Sequence, residues 1–310
     1  AEVGVWDSRA VTSAKTIPRR LAVIGGGVVG VEMAQAFRWL GVEELTILQR
    51  GDRLLRNEEP FVGTQLAEAL TAEGIDVRLG VRATRVRRAG PDAPVVLGLD
   101  DGSDLEADEL LVAVGRTPRT DDLGLQAVGL SPGKSIEVDD HLRATGVAGG
   151  WLYAVGDVNG RALLTHHGKY QARIVGDHLA GKDVSAHADH EALVRVVFTD
   201  PQVAAVGLTA AQAGQRGVEV QELSYEIGSV AGGALIGEDI RGTAHLVVDR
   251  PRRTIVGATF TGPAAGEMLH AATIAVVSGI TLDQLWHAVP AFPTMSEVWL
   301  RLLEADRGIS

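Results

Sequence analysis

The sequence predicts an α/β domain with a Rossmann-like parallel sheet, followed by an α+β domain. Two observations support this order. A glycine-rich loop at residues 25–30 separates a short apolar run from a helical pattern, as in a strand-loop-helix unit. From about residue 191 the alternation of strands and helices gives way to consecutive strand-like runs and then to helical patterns. The chain therefore divides into parts of different fold class.

The first part is predicted to alternate strands and helices. Apolar runs indicate strands at residues 21–24, 45–48, 76–79 and 110–114, and helical spacing indicates helices at 31–40 and 61–73. Gly41 is placed to cap the first helix, and the first strand-helix-strand unit should cross over with a right hand. A β-hairpin over residues 95–106 is expected to turn at Asp101 and Gly102.

The later elements follow the same reasoning. The chain is expected to leave the first domain near residues 117–122, and a short strand is expected to end at residues 155–157. Further strands are predicted at 194–198, 244–248 and 255–261, and helices at 168–179, 264–278 and 296–305.

Composition limits the classes of partner. The 310 residues are 45% hydrophobic and 22% charged, which is ordinary for a globular protein of two or three domains. The net charge of -11 opposes attraction to nucleic-acid phosphates and to anionic lipid. No apolar run reaches the roughly 18 residues needed to span a bilayer. We expect a cytoplasmic protein without a nucleic-acid partner.

The chain contains no cysteine. It therefore supplies no disulfide, no thiolate nucleophile and no cysteine-ligated metal. His166 and His167 are adjacent, so they do not share one face of a helix as metal ligands would. The sequence predicts no metal site.

The loop at residues 25–30 has the pattern GxGxxG, formed by Gly25, Gly27 and Gly30. In a dinucleotide-binding unit these glycines allow a tight turn, close approach to a pyrophosphate, and packing of the helix on the strand. The pyrophosphate then lies at the positive N-terminus of the helix. The alternative is a glycine-rich turn that binds nothing.

The end of the second strand indicates which nicotinamide nucleotide binds. An NAD site usually has an acidic residue there, whereas this chain has Gln49, followed by Arg50, Arg53 and Arg56. Glutamine does not repel a 2'-phosphate, and arginines can bind one through paired hydrogen bonds. The sequence favours NADP over NAD. NAD remains the alternative, since the third glycine, Gly30, is more typical of NAD sites, and the arginines could form a solvated loop.

Four further strings resemble the pyridine-nucleotide disulfide oxidoreductases. They are LLVAVGRTPRT (110–120), WLYAVGDV (151–158), VVFTDPQVAAVGLT (196–209) and FPTMSE (292–297). Their order and spacing also match that family over nearly the whole chain.

The resemblance implies a connector (1–19), a nicotinamide-binding domain (20–116), a partial second segment of an FAD-binding domain (117–190) and a C-terminal dimerisation domain (191–310). It implies a homodimer, with helices 264–278 and 296–305 at the interface. In the family, a first flavin segment carries the FAD-binding GxGxxG and a cysteine pair. We expect that segment, on the order of one hundred residues, to be missing from this chain.

The resemblance also assigns candidate FAD contacts. Asp157, following Gly156, is expected to bind the ribityl chain, with helix or turn capping as the alternative. Leu164, Thr165 and His166 occupy the position where the family has backbone amides near the isoalloxazine ring. The histidines themselves are expected to be solvated or at the edge of a core.

Arg116 and Glu32 have two interpretations each. Gly115 and Arg116 belong to the motif by which the chain leaves the nicotinamide domain, and Arg116 could instead contact the nicotinamide. Glu32 corresponds to a family position near the nicotinamide. Its alternative role is a favourable charge in the first turn of a helix.

The C-terminal string departs from the dithiol members of the family. Phe292 stands where they have an acid-base histidine, while the paired Glu297 is retained. Phenylalanine cannot transfer a proton, and His287 lies beyond Pro290. This predicts electron transfer from NADPH through FAD to a quinone, a nicotinamide or another small non-disulfide acceptor. The alternatives are a truncated, non-catalytic dinucleotide-binding and dimerisation module, or an enzyme similar to dihydrolipoamide dehydrogenase whose dithiol lies in the missing segment.

Overall fold

The computed structural model describes residues 4–90 and 93–309. Its first sheet is parallel and four-stranded, with the strand order β3-β2-β1-β7. The elements of this region are α1 (Ser8–Thr12), β1 (Arg20–Ile24), α2 (Val28–Trp39), β2 (Glu44–Gln49), α3 (Pro60–Ala72), β3 (Asp76–Leu79), β4 (Ala83–Arg88), β5 (Val95–Leu99), β6 (Asp104–Ala107) and β7 (Glu109–Val112). The predicted Rossmann-like pattern is therefore present, and each element that was predicted lies within a few residues of its predicted bounds, whereas α1 and β4 were not predicted.

The predicted hairpin is part of a three-stranded antiparallel sheet, in the order β4-β5-β6. Strand β4 was not predicted, because it is rich in arginine and has no buried residue to produce an apolar period. Arg85 and Arg87 of this strand both form ion pairs with Asp104 of β6. Cross-strand charge replaces hydrophobic alternation here.

The middle of the chain is mostly irregular. It contains α4 (Thr165–Leu179), α5 (Ala188–Glu191) and 3₁₀ turns at Leu125–Val128 and Gly156–Asn159. The strand expected to end at residues 155–157 is wrong, since that stretch forms only an isolated bridge from Tyr153 to Arg143. A strand needs a partner along its length, and the described residues provide none there.

The C-terminal sheet is antiparallel, in the order β10-β11-β12-β9-β8. Its elements are β8 (Val194–Val197), β9 (Gln202–Gly207), α6 (Ala210–Gln215), β10 (Val220–Glu226), α7 (Ala231–Ile236), β11 (Thr243–Asp249), β12 (Thr254–Gly262), α8 (Ala265–Ser278), α9 (Leu282–Leu285) and α10 (Glu297–Asp306). Helix α8 packs on β9 and β12, and α10 packs on β10. Within the described ranges, no helix is long and apolar enough to cross a membrane.

The first and last domains are in direct contact. Val197 and Val203 of the C-terminal sheet belong to the same hydrophobic cluster as the core of the first domain. Arg195 of β8 binds both carboxylate oxygens of Glu58 at 2.8 and 2.9 Å. Gln65 of α3 accepts a hydrogen bond from Thr261 at 2.6 Å. These contacts fix the glycine loop's domain against the C-terminal sheet.

Candidate functional site

The glycine loop has the geometry that close approach of a ligand requires. Gly25 has φ +111°, and a side chain there would overlap the carbonyl oxygen of Ala113. A side chain on Gly30 would overlap the carbonyl oxygen of Gly25, so the helix can pack only without one. Gly27 is the N-cap of α2, and in the part of the chain that the structure describes, no neighbouring atom lies within 4 Å of the position its Cβ would take. Two of the glycines are thus required by the fold, and the third faces open space.

Gly26 is a constrained residue that the motif pattern did not identify. A side chain there would overlap Leu54, and its N–H donates to Oε1 of Gln49 at 3.1 Å. The other end of the same amide, Nε2 of Gln49, donates to the carbonyl of Arg53 at 3.2 Å. Gln49 therefore joins the glycine loop to the loop after β2, and both ends of its side chain have protein partners.

The three arginines after Gln49 differ in their surroundings. Arg53 is partly buried and donates to the carbonyl of Arg56 at 3.2 Å, so it organises the loop. Arg50 and Arg56 are exposed, and within the described residues neither forms an ion pair with a carboxylate. The aliphatic part of Arg56 lies over Gly51, beside Gln49. Two uncommitted guanidinium groups therefore lie at the carboxyl end of β2.

Two motifs that are distant in the sequence meet in the structure. Gly115 has φ +152°, and the following Arg116 donates from Nη1 to Oδ2 of Asp157 and to the carbonyl of Leu163, both at 3.1 Å. Both partners of the ion pair are more than half exposed, so it contributes about 0.2–1 kcal/mol. A ligand hydroxyl can therefore displace it at little cost.

A buried polar network lies behind this pair. The N–H of Gly156 donates to Oε1 of Gln171 at 2.7 Å, and Nε2 of Gln171 donates to Asp189 at 2.7 Å. Asp189 contacts Nδ1 of His167 at 3.1 Å, and Nε2 of His167 accepts the N–H of Val194 at 3.1 Å. Since Nε2 is the acceptor, Nδ1 carries the proton and donates to Asp189. The network joins the Gly156 turn to the first strand of the C-terminal sheet.

Leu164, Thr165 and His166 lie at the start of α4, with Leu164 as the N-cap. The amides of a first helical turn have no partner within the helix and can face a ligand. The ring of His166 is exposed and contacts the carbonyl of Val194 at 2.9 Å through Nε2. Both histidines were expected to be solvated or at the edge of a core. His166 is exposed, whereas His167 is buried within a hydrogen-bonded network.

Glu32 has a structural partner. Its carboxylate accepts the N–H of Phe198 at 2.8 Å, across the contact between α2 and the C-terminal domain. Burial raises the pKa of Glu32, and the hydrogen bond from Phe198 opposes this shift. A contact with a nicotinamide remains a prediction from the resemblance.

The two C-terminal candidate residues, Phe292 and Glu297, lie in different environments. Phe292 is 77% exposed, whereas Glu297 is 6% exposed. Glu297 accepts from Arg301 at 2.8 Å and from the N–H of Ala231 at 3.3 Å, so it ties the start of α10 to α7. His287 is exposed. Glu297 is therefore hydrogen-bonded within the fold and Phe292 is an exposed apolar side chain, and a catalytic role for either remains a prediction from the resemblance.

Sequence profiles of known families match most of the chain. The profile described as pyridine nucleotide-disulphide oxidoreductase matches residues 2–172, and the dimerisation domain of the same family matches residues 193–302. The chain belongs to the pyridine nucleotide-disulphide oxidoreductase family. The resemblance noted in the four sequence strings is therefore confirmed, as is the predicted succession of a Rossmann-like domain and a dimerisation domain.

Curated members of the family are similar over nearly the whole chain. A mercuric reductase of Staphylococcus aureus is 32% identical over 313 residues, covering 100% of this chain and 56% of that protein. A dihydrolipoyl dehydrogenase of Thermus scotoductus is 34% identical over 305 residues, covering 97% of this chain and 65% of that protein. The chain thus spans just over half the length of the mercuric reductase.

Solved structures of the family have the same fold. LpdA from Mycobacterium tuberculosis aligns with a TM-score of 0.84 at 27% identity, over 98% of this chain and 64% of that one. The HOCl-induced flavoprotein disulfide reductase RclA from Escherichia coli aligns with a TM-score of 0.84 at 27% identity, over 97% of this chain and 68% of that one.

Proposed function

We propose that this chain binds NADPH at its glycine loop and, as part of an FAD-dependent oxidoreductase, passes electrons to a non-disulfide acceptor. The observation that supports NADPH is the position of Arg50 and Arg56, exposed and without carboxylate partners at the end of β2. Charge-assisted hydrogen bonds to a 2'-phosphate are worth about 1.5–3 kcal/mol each before screening by salt.

Titration of the 310-residue chain with NADPH and NADH tests the nucleotide. We expect NADPH to bind more tightly, and Arg50→Glu to reverse the preference, because a carboxylate repels the 2'-phosphate. Arg241→Glu is a matched control, since Arg241 is exposed and belongs to the other domain. Equal affinity for the two nucleotides, or a preference for NADH, would contradict the proposal.

Asp157, Arg116 and the start of α4 support FAD as the second cofactor. An exposed carboxylate can accept from ribityl hydroxyls, and the free amides of Thr165 and His166 suit a polar ring edge. FAD, when bound, would accept hydride from the nicotinamide and deliver two electrons to the acceptor. The chain has one GxGxxG loop, already assigned to the nicotinamide nucleotide, so we propose that residues outside this chain bind the AMP half of FAD.

The acceptor is inferred from Phe292. Reduction of a disulfide needs a group that exchanges protons with thiols, and the exposed phenyl ring cannot do this. Hydride transfer to a second nicotinamide and electron transfer to a metal ion need no such group, and a quinone can take the two protons of its reduction from water. The relatives include a dihydrolipoyl dehydrogenase and a flavoprotein disulfide reductase, so a disulfide acceptor is the competing proposal.

The acceptor can be tested in a protein completed with a flavin segment. We expect NADPH oxidation with quinones or dyes and little turnover of lipoamide or glutathione disulfide. Phe292→His should raise lipoamide turnover, and Phe292→Leu is the control for loss of the ring. Substantial lipoamide turnover by the unmodified protein would sink the proposal for a non-disulfide acceptor.

The proposed assembly rests on the same assignment. The match to a dimerisation domain supports a homodimer, with α8 and α10 as the proposed interface. A cytoplasmic location remains a prediction from the sequence.

The second candidate function is a non-catalytic dinucleotide-binding module. The colour of the purified protein distinguishes it from the enzyme, because a bound flavin absorbs visible light and a nicotinamide does not.

A further inference from the structure

Glu59, Glu222 and His245 converge at the contact between the first domain and the C-terminal sheet. One potential ligand atom from each lies within 4.8 Å of the other two. Nε2 of His245 is 3.4 Å from Oε2 of Glu222 and 3.8 Å from Oε1 of Glu59. For metal-ligand bonds of 2.0–2.2 Å, tetrahedral geometry places two ligand atoms about 3.4 Å apart. The separations to His245 are therefore close to those of a metal site.

Among the described residues, only one of the two ring nitrogens of His245 has a hydrogen-bond partner. Nδ1 contacts Oγ of Ser224 at 2.8 Å, and Ser224 is directly opposite His245 in the pairing of β10 with β11. His245 is only 4% exposed, and its Nε2 atom is buried without a hydrogen-bond partner among residues 4–90 and 93–309. A ligating histidine characteristically uses its second nitrogen in such a hydrogen bond, which fixes the ring and its tautomer.

The charges of the cluster are unbalanced. Within residues 4–90 and 93–309, no lysine or arginine forms an ion pair with Glu59 or Glu222. Two carboxylates without a paired lysine or arginine carry a negative charge that a divalent cation would neutralise.

A backbone hydrogen bond holds Glu59 in place, and the exposed side chain of Glu222 leaves the cluster accessible from solvent. The N–H of Ala210 donates to Oε1 of Glu59 at 2.7 Å, which holds this buried carboxylate in place and leaves a lone pair free. The side chain of Glu222 is 55% exposed, whereas those of His245 and Glu59 are 5% and 4% exposed. An ion can therefore enter from the side of Glu222.

We propose that Glu59, Glu222 and His245 bind one divalent transition-metal ion of the zinc type, which joins the two domains. Glu59 immediately precedes α3 of the first domain, and the other two ligands are on β10 and β11. An imidazole nitrogen with two carboxylate oxygens suits Zn²⁺, with water as a fourth ligand. The site uses no residue assigned to NADPH or FAD.

The test is calorimetric titration of the metal-free 310-residue chain with Zn²⁺, with melting temperature as a second readout. We expect one Zn²⁺ per chain and a melting temperature that rises with Zn²⁺ concentration, because the ion binds only the folded arrangement. Glu222→Gln and His245→Gln should each weaken binding at least 10-fold.

Matched controls separate this cluster from other surface groups. Glu219→Gln changes an exposed carboxylate just before β10, and His270→Gln changes an exposed histidine on α8. Both controls should bind Zn²⁺ as the unmodified chain does. The proposal is overturned if no 1:1 binding occurs at about 100 μM Zn²⁺, or if Glu222→Gln leaves the affinity unchanged. Because Glu222 is exposed, that variant is expected to fold even if His245→Gln does not.

Discussion

The two regions proposed to hold cofactors are built in different ways. In the first domain, the glycine loop is fixed by the backbone, because side chains at Gly25 or Gly30 would overlap carbonyl oxygens. In the middle segment, the turn at Gly156 is fixed by side chains, through Gln171, Asp189 and His167. The first region is supported by a regular sheet and the second by a buried hydrogen-bond network.

This difference affects how each region should respond to substitution. In the glycine loop, Gly25 and Gly30 leave no space for an added side-chain atom, whereas the space beside Gly27 is open to a ligand. A turn fixed by a polar network depends on every member, because a buried polar group without its partner costs about 1–3 kcal/mol. In the glycine loop, some substitutions should therefore affect stability and others nucleotide binding. In the turn at Gly156, a single substitution in the network should disturb the whole turn.

The largest expected effect is that of Asp189→Ala. The change leaves the N–H groups of His167 and Gln171 without their acceptor and removes a carboxylate that lies 4.0 Å from Nη1 of Arg161. Loss of one partner from a buried charged network costs about 3–5 kcal/mol. Urea unfolding measures the loss, with Asp177→Ala on the exposed face of α4 as the control. If NADPH affinity falls as much as stability, the two regions are not independent.

The next effect separates two glycines of one motif. Gly30→Ala should destabilise the domain by about 1–3 kcal/mol, since its Cβ would force the backbone of Gly25 to move. Gly27→Ala adds a methyl group to open space, so it should change stability by less than about 1 kcal/mol and weaken NADPH at least 10-fold. Thermal unfolding and nucleotide titration of both variants test this. Normal NADPH binding by Gly27→Ala would contradict the placement of the pyrophosphate.

The smallest effect concerns Glu32, at the junction of the first domain with Phe198. Burial raises the pKa of this acid in the folded protein, so its contribution to stability is full below the ordinary pKa and is lost as pH rises through the raised value. Glu32→Gln removes this loss but keeps an oxygen that accepts from Phe198. The free energy of unfolding of Glu32→Gln, relative to that of the unmodified chain, should therefore increase as the pH rises from about 4 to about 8, as measured by urea unfolding. Weaker NADPH binding by Glu32→Gln would instead favour its predicted role near the nicotinamide.

The sequence alone determined the fold class, most element bounds and the dinucleotide motif. These features depend on local patterns: glycines at fixed spacing, apolar runs of strand length and helical periodicity. Gly25, Gly27 and Gly30 were found in this way because their spacing is set by a turn of a few residues. Strand β4 was missed for the same reason, since its arginines are paired across the sheet rather than patterned along the chain.

Only the tertiary structure decided which polar groups meet. Arg116 and Asp157 are 41 positions apart, and Gln49 bonds to Gly26 across 23 positions. The cluster of Glu59, Glu222 and His245 joins residues from both domains, so no spacing in the sequence could indicate it. Hydrogen bonds and metal ligation act over about 2–3.5 Å, and only the packing of one element on another brings such groups within that range.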